Sequence, residues 1–244
     1  MQAANRFQKA LKKGGTTFGA WQMLPGSNLS RAIASADMDW ICLDMEHGNI
    51  DDGQMHECVA AVAGCGVSPV VRIAANETWM VKHDARKLVS SAKFPPQGKR
   101  GFSPELAIGK FASKRTGDYL LQANDALVTI AQIETKEALD NVDEIAAVPG
   151  IDVLFIGPFD LANDIGHPII GGIMHDELKA AFDRIYKAAT DNGKWAGIYC
   201  NNGTEGHEYA QKGFHMVSIG ADLVDIPSHF DNALCMARGE GVIG

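Results

Sequence analysis

The sequence predicts an α/β fold on a parallel sheet, with a (β/α)8 barrel as the leading form and an open doubly wound sheet as the next. Three features carry this expectation. Short runs rich in Val, Ile and Leu are nearly continuously apolar, as strands covered on both faces must be. These runs alternate with helical stretches along the 244 residues, and no Pro-, Gly- or Ser-rich linker divides them, so 1–244 reads as one domain. Polar residues gather where the runs end, and parallel α/β folds build their sites at the carboxyl ends of strands.

The N-terminal MQAANRFQKALKKGG reads as a short amphipathic helix without a signal-peptide core, which points to a cytoplasmic protein. Residues 16–24 form the first expected strand, followed by a helix over 28–36 with Ser27 or Asn28 as its cap. Residues 39–44 are the second strand, 51–66 a helix ending at glycine, and 68–74 the third strand. Further strands are expected at 125–134, 151–158, 194–201 and 215–222, with helices over 135–148 and 175–193. This makes seven strands, one short of a closed barrel. The third starts near 68 and the next near 125, and the interval holds a helix at about 78–92 and a loop over 93–119. A barrel lacking one strand exposes two edges.

A net charge of −8 argues against a nucleic-acid or anionic-membrane surface, which calls for a basic patch. No apolar run reaches the ~18 residues of a membrane helix. The cysteines, Cys42, Cys58, Cys65, Cys200 and Cys235, show neither CxxC nor zinc spacing and read as buried free thiols.

The chemistry is expected at four strand ends. The second strand runs into Asp44, Glu46 and His47, and the third ends in Arg72. The strand at 125–134 ends in Gln132 and Glu134, and the next leads into Gly157-Pro158-Phe159-Asp160. Adjacent parallel strands lie ~4.8 Å apart, so Glu134 and Asp160 can reach one ion. Two carboxylates suit Mg²⁺ or Mn²⁺; two unrelated surface acids are the plainer alternative. His47 has the chemistry of a general base, with Asp44 to orient it, or else is a structural loop histidine. Arg72 inside a strand requires either an anionic ligand or a salt bridge to Asp44 or Glu46. The other histidines, His167 and His175 among them, read as scattered helix, loop or surface residues. A dinucleotide fingerprint, a Walker loop, GxSxG and a strand lysine for Schiff-base chemistry are all missing.

LDMEHG, VVRI, KFPPQGKRG, QIETKEAL and GIDVLFIGPFDLANDIG together resemble the HpcH/HpaI aldolases, over about Phe18 to Ala221. These are class II pyruvate aldolases related to macrophomate synthase and the citrate lyase β-subunit. The resemblance implies a barrel of the phosphoenolpyruvate/pyruvate type. It implies Glu134 and Asp160 as ligands of Mg²⁺, Mn²⁺ or Co²⁺, and Gln132 and the Phe159–Asp160 backbone as substrate contacts. His47 resembles the base and Arg72 the residue that stabilises the developing oxyanion.

The implied reaction cleaves a 4-hydroxy-2-oxo acid to pyruvate and an aldehyde through a metal-stabilised enolate. Oxaloacetate decarboxylation or macrophomate-synthase-type bond formation uses the same enolate, and an inactive homologue that keeps the fold is the remaining reading. The implied partners are a small 2-oxo acid, an aldehyde and further copies of the chain in a trimer or hexamer. One departure stands out. After Lys82 the chain passes directly to HDARKLVSSAKFPPQGKRG, skipping the family's fourth strand and the aspartate that supports the histidine base, a role that Asp44 is left to fill.

Overall fold

The computed structural model describes residues 5–73, 81–102 and 116–240. Its contacts sort the chain into two compact units of interleaved segments. One comprises Met1–Thr17, Glu77–Tyr199 and Glu208–Val217, the other Phe18–Asn76, Cys200–His207 and Ser218–Gly244.

The second unit is built on β1 (Thr17–Gln22), β2 (Trp40–Asp44) and β3 (Ser68–Arg72). They pair in parallel, with Gly19 opposite Trp40 and Asp44 opposite Arg72. All five residues of β2 are buried, the signature of a strand covered on both faces. Ile41 and Leu43 point to one side and meet Ala34 of α2 (Ser27–Ala34) and Cys58 and Val62 of α3 (Asp52–Gly64). On the other side Trp40 lies across β1, and only a glycine fits opposite it: a Cβ on Gly19 would stand 2.2 Å from the Trp40 ring. Asp51 caps α3 by accepting the Gln54 amide at 2.8 Å. The cap of α2 is neither Ser27 nor Asn28 but Gly26, whose φ of 124° is open to glycine, so Ser27 is already helical. The Ser218–Ala221 half of β7 (Met216–Ala221) also belongs to this unit, next to β1 in the sheet. The last helix, α11 (Asp222–Arg238), follows directly and exposes Val224, Phe230 and Met236.

The first unit carries β4 (Ile130–Ile133), β5 (Val153–Ile156) and β6 (Trp195–Ile198), again paired in parallel. The Met216–Val217 end of β7 adds to β6. Around them lie α1 (Arg6–Lys12), α4 (Val81–Ala92), α5 (Thr116–Ala126), α6 (Lys136–Asp140), α7 (Val142–Ala146), α8 (Pro158–Asp164) and α9 (Asp176–Asp191), while α10 (Gly203–Gln211) runs through both units. Helix α9 buries Leu178, Ala181, Phe182, Ile185, Ala188 and Ala189, the three-and-four spacing of a helix lying on a sheet.

The seven described strands fall where the sequence predicts them, and all the assigned pairings are parallel. The interval where the sequence shows no fourth barrel strand includes 74–80 and 103–115, which lie outside the described residues. Between those segments 81–92 is helical and 93–102 holds no strand. Two boundaries differ from expectation. The strand expected from 125 begins at Ile130, because Tyr119, Ala123 and Ala126 form a buried helical stripe that carries α5 from Thr116 to Ala126. The helix expected over 135–148 breaks at Asn141, whose side-chain amide donates to the Glu137 carbonyl at 2.8 Å and closes α6 early. Among the cysteines, Cys65 is exposed and Cys235 half-buried, against the expectation of five buried thiols; both sit at or near helix ends.

Gly19→Ala is expected to lower the unfolding free energy by about 2–3 kcal/mol, because the added methyl meets the Trp40 ring and backbone rather than a movable side-chain tip. Urea denaturation measures it, and a loss below about 0.5 kcal/mol would show that β1 shifts freely against β2.

Candidate active site

In the second unit the centre is an ion pair across the carboxyl ends of β2 and β3. Asp44 is wholly buried, and Arg72 grips it with both arms of its fork: Nε donates to Oδ1 at 2.8 Å and an Nη to Oδ2. The other Nη lies 3.3 Å from Glu46, and the Trp21 ring stacks on the guanidinium with its centroid 4.5 Å away. Arg72 is therefore held on three sides by an acid, a second acid and an aromatic face. Burial alone would favour the neutral form of Asp44; the Arg72 hydrogen bonds and charge, with the Glu46 and His47 amides, outweigh it and hold the carboxyl below the usual carboxylate range. The same pairing outweighs burial at Arg72 and raises its pKa further. Burial, with Asp44 beside it, pushes the Cys42 thiol far up, which leaves it a protonated core residue rather than a nucleophile.

His47 sits exposed on the loop that Asp44 shapes. Asp44 Oδ1 accepts the backbone amides of Glu46 at 3.0 Å and His47 at 3.2 Å. Asp44 thus reaches His47 through the main chain, while its carboxylate serves Arg72, where the sequence reading has it orienting the histidine. Gly48 lets the turn close, since a Cβ there would lie 2.2 Å from the Asp44 carbonyl. Asn49 then donates its amide to Met23 at 2.9 Å. Met23 and Leu24 in turn donate theirs to the buried Asp222 carboxylate, each at 2.9 Å. The loops after β1 and β2 and the end of β7 are tied into one rigid floor.

In the first unit β4 ends in Gln132 and Glu134, and β5 leads through Gly157 into α8. Gln132 Nε2 donates to Glu134 Oε2. The pair lies across Gly157: a Cβ on that glycine would stand 2.8 Å from Glu134 Oε2 and 2.9 Å from Gln132 Nε2. A carboxylate thus rests in a cradle that any side chain would fill. Phe159 and Asp160 open the first turn of α8 and are exposed, and the Phe159 ring meets Tyr199 edge-on at 6.2 Å. Below them Thr135 caps α6 through the Ala138 amide, and the Lys136 amide donates to Asp164 at 2.5 Å, fixing the end of β4 to the end of α8. The donors here, Glu134 and Asp160, are all oxygen. That set fits a hard divalent cation that keeps water or substrate oxygens among its ligands.

Two contributors escaped the sequence reading. In the sequence Trp21 is one residue of the first strand, and its contact with the Arg72 guanidinium comes from two strands away in the sheet. Gly157 was read only as part of a motif; its role comes from close approach, which sequence spacing does not report.

Each unit thus carries polar groups at the carboxyl ends of parallel strands, where enzymes of the parallel α/β class build their sites. The chain belongs to the HpcH/HpaI aldolase/citrate lyase family, whose profile matches residues 81–227. It is accordingly a carbon–carbon lyase. It is 32% identical to the hydroxypyruvate/pyruvate aldolase of Paraburkholderia phytofirmans, covering 90% of this chain and 92% of that one. Identity to the 5-keto-4-deoxy-D-glucarate aldolase of Shigella boydii is 31%, covering 90% and 91%. Among solved structures, an HpcH/HpaI aldolase/citrate lyase family protein from Burkholderia cenocepacia superposes with a TM-score of 0.83 at 30% identity, over 95% of this chain and 98% of that one. Among the described residues, no helix is long and apolar enough to cross a membrane.

The depressed folded-state pKa of Asp44 means its stabilisation is fully present above the unfolded-state value of about 3.9 and is lost as pH falls below it. Asp44→Asn is expected to cost about 3 kcal/mol at neutral pH, since it leaves Arg72 half-paired. The variant should then lose less stability than the parent between about pH 4 and pH 2. Urea titrations across that range check it, and parallel acid slopes would remove Asp44 from the pair.

Proposed function

We propose that the chain is a divalent-metal-dependent aldolase that cleaves 4-hydroxy-2-oxo acids to pyruvate and an aldehyde. The observation that carries the reading is the Gln132–Glu134 pair lying over Gly157, with Asp160 on the turn that follows: an all-oxygen donor set whose shape depends on the missing side chain. The name of the hydroxypyruvate/pyruvate aldolase relative supports pyruvate or a close 2-oxo acid as a substrate or product.

Glu134 and Asp160 would hold Mg²⁺, Mn²⁺ or Co²⁺, which would supply Lewis acidity toward the 2-oxo group. The chain's own residues do the rest. The backbone at Phe159–Asp160 seats the substrate carboxylate, and Gln132 donates to it. His47 takes the proton of the 4-hydroxyl. As the C3–C4 bond breaks, its electron pair passes into the pyruvate enolate and the aldehyde leaves. Arg72, already fixed by Asp44, Glu46 and Trp21, balances the oxyanion without having to reorganise. Return of the proton to C3 gives pyruvate. The proposal includes a homo-oligomer, supported by the exposed Val224, Phe230 and Met236 of α11.

Pyruvate release from a 4-hydroxy-2-oxo acid, assayed with Mn²⁺ and then with excess EDTA, tests the reading. Release that EDTA stops, and that Glu134→Ala or Asp160→Ala abolishes, is the expected result. Unchanged rates in either variant would sink the metal assignment. Absence of release would shift attention to oxaloacetate decarboxylation.

Gly157→Ala adds a methyl against Glu134 and Gln132 while leaving an allowed backbone (φ −92°). It is expected to weaken Mn²⁺ binding about 10–100-fold, with little change in thermal stability. Calorimetric titration measures the affinity, and parental affinity would show that Glu134 holds no ion.

A further inference from the structure

Beyond the strand ends, the first unit gathers a different set of ligands where α8 gives way to α9. Two imidazoles that the sequence scatters come face to face: the rings of His167 and His175 stack with centroids 3.8 Å apart and planes 6° from parallel. Glu177 completes the group, its Oε2 lying 2.9 Å from His167 Nε2. One ligand atom from each residue lies within 4.8 Å of the other two. His175 is the cap of α9, and its Nδ1 accepts the Glu177 amide at 3.3 Å, which leaves Nε2 as the nitrogen for a ligand.

The chain between the histidines is short and closed on itself. Gly171 and Gly172 take φ of 59° and 77°, and Ile173 donates its amide to the Ile170 carbonyl at 3.1 Å. At the base, the His167 amide donates to the Ala162 carbonyl of α8 at 2.8 Å. The two histidines are thus the two sides of a loop neck, one anchored on α8 and the other on α9.

We propose that His167, His175 and Glu177 form a second metal site that takes a borderline cation, Zn²⁺ above all, and pins this neck. Two neutral imidazoles and a carboxylate are a zinc ligand set that leaves the fourth tetrahedral position to water. Nitrogen ligands also separate this site from the Glu134–Asp160 pair, whose oxygens suit Mg²⁺ or Mn²⁺. In a tetrahedral site the ligand atoms stand about 3.3 Å apart and each imidazole points at the ion in its own ring plane, so binding turns the two rings out of their parallel stack. With the neck pinned, the short turn carrying the exposed Ile170 and Ile173 is fixed relative to α8, the helix that bears Asp160.

The test is Zn²⁺ titration of the full chain by calorimetry, with Mg²⁺ in large excess to occupy the oxygen site, alongside Co²⁺ absorption as a probe of tetrahedral nitrogen ligation. His175→Asn keeps a helix cap but removes the imidazole. His167→Gln keeps a donor toward Glu177 but no imidazole. The expected result is one Zn²⁺ per chain, weakened at least tenfold in each variant, with the Zn²⁺-induced rise in Tm lost alongside it and the site intact in the Glu134→Ala/Asp160→Ala double variant. No Zn²⁺ binding by the parent chain, or binding that both histidine variants retain at parental affinity, overturns the proposal. Loss of binding in the double acid variant alone would place the ion at the strand ends and overturn it equally. Because binding is read without turnover, the result stands apart from whether the chain is an aldolase.

Discussion

The Asp44–Arg72 pair is the constraint on which the rest of the second unit turns. A carboxylate with no exposed surface is tolerated only if its charge is answered and its lone pairs are filled. Arg72 answers the charge across the β2–β3 register, and the amides of Glu46 and His47 fill what remains. Meeting that requirement has three structural results. The two strand ends are locked in register. The loop after β2 must turn at once, which demands glycine at position 48. The guanidinium is held rigid with its outer face toward Glu46 and Trp21. An arginine so pre-positioned can stabilise developing negative charge because its orientation has already been settled during folding.

Glycines play the complementary part. At Gly19 the missing side chain admits the Trp40 ring, and at Gly48 it admits a carbonyl; at Gly157 it admits a carboxylate and an amide. In each case a bulky or polar neighbour occupies the volume of an absent Cβ. Only at the third is the neighbour an ionisable side chain, Glu134, rather than a core ring or a backbone carbonyl.

Ligand type would sort the two proposed cation sites. Glu134 just past β4 and Asp160 in the first turn of α8 offer only oxygens, and that donor type favours hard ions. The neck between α8 and α9 supplies imidazoles, which favour borderline ones. The ions would share a unit without competing, so long as each keeps to its donor chemistry.

Much of the fold was legible along the chain. Strands buried on both faces are continuously apolar, which makes β2 and β5 plain, and a rule about strand carboxyl ends brings Asp44, Arg72, Gln132, Glu134 and Asp160 forward as candidates. Periodicity is weaker where helix and strand compete over short apolar runs: the end of α5 has the local pattern of a strand start, and only its buried stripe of Tyr119, Ala123 and Ala126 makes it helical. What sequence by itself determined was residue type and local period: which segments are strands, and which polar groups end them. Only the tertiary structure decided which groups meet. It gave Asp44 to Arg72 rather than to the His47 ring, set Trp21 on the guanidinium, laid Glu134 over Gly157 and stacked His167 on His175. Those contacts follow from register and close approach between segments far apart in the chain, and neither quantity is written in the spacing of residues along it.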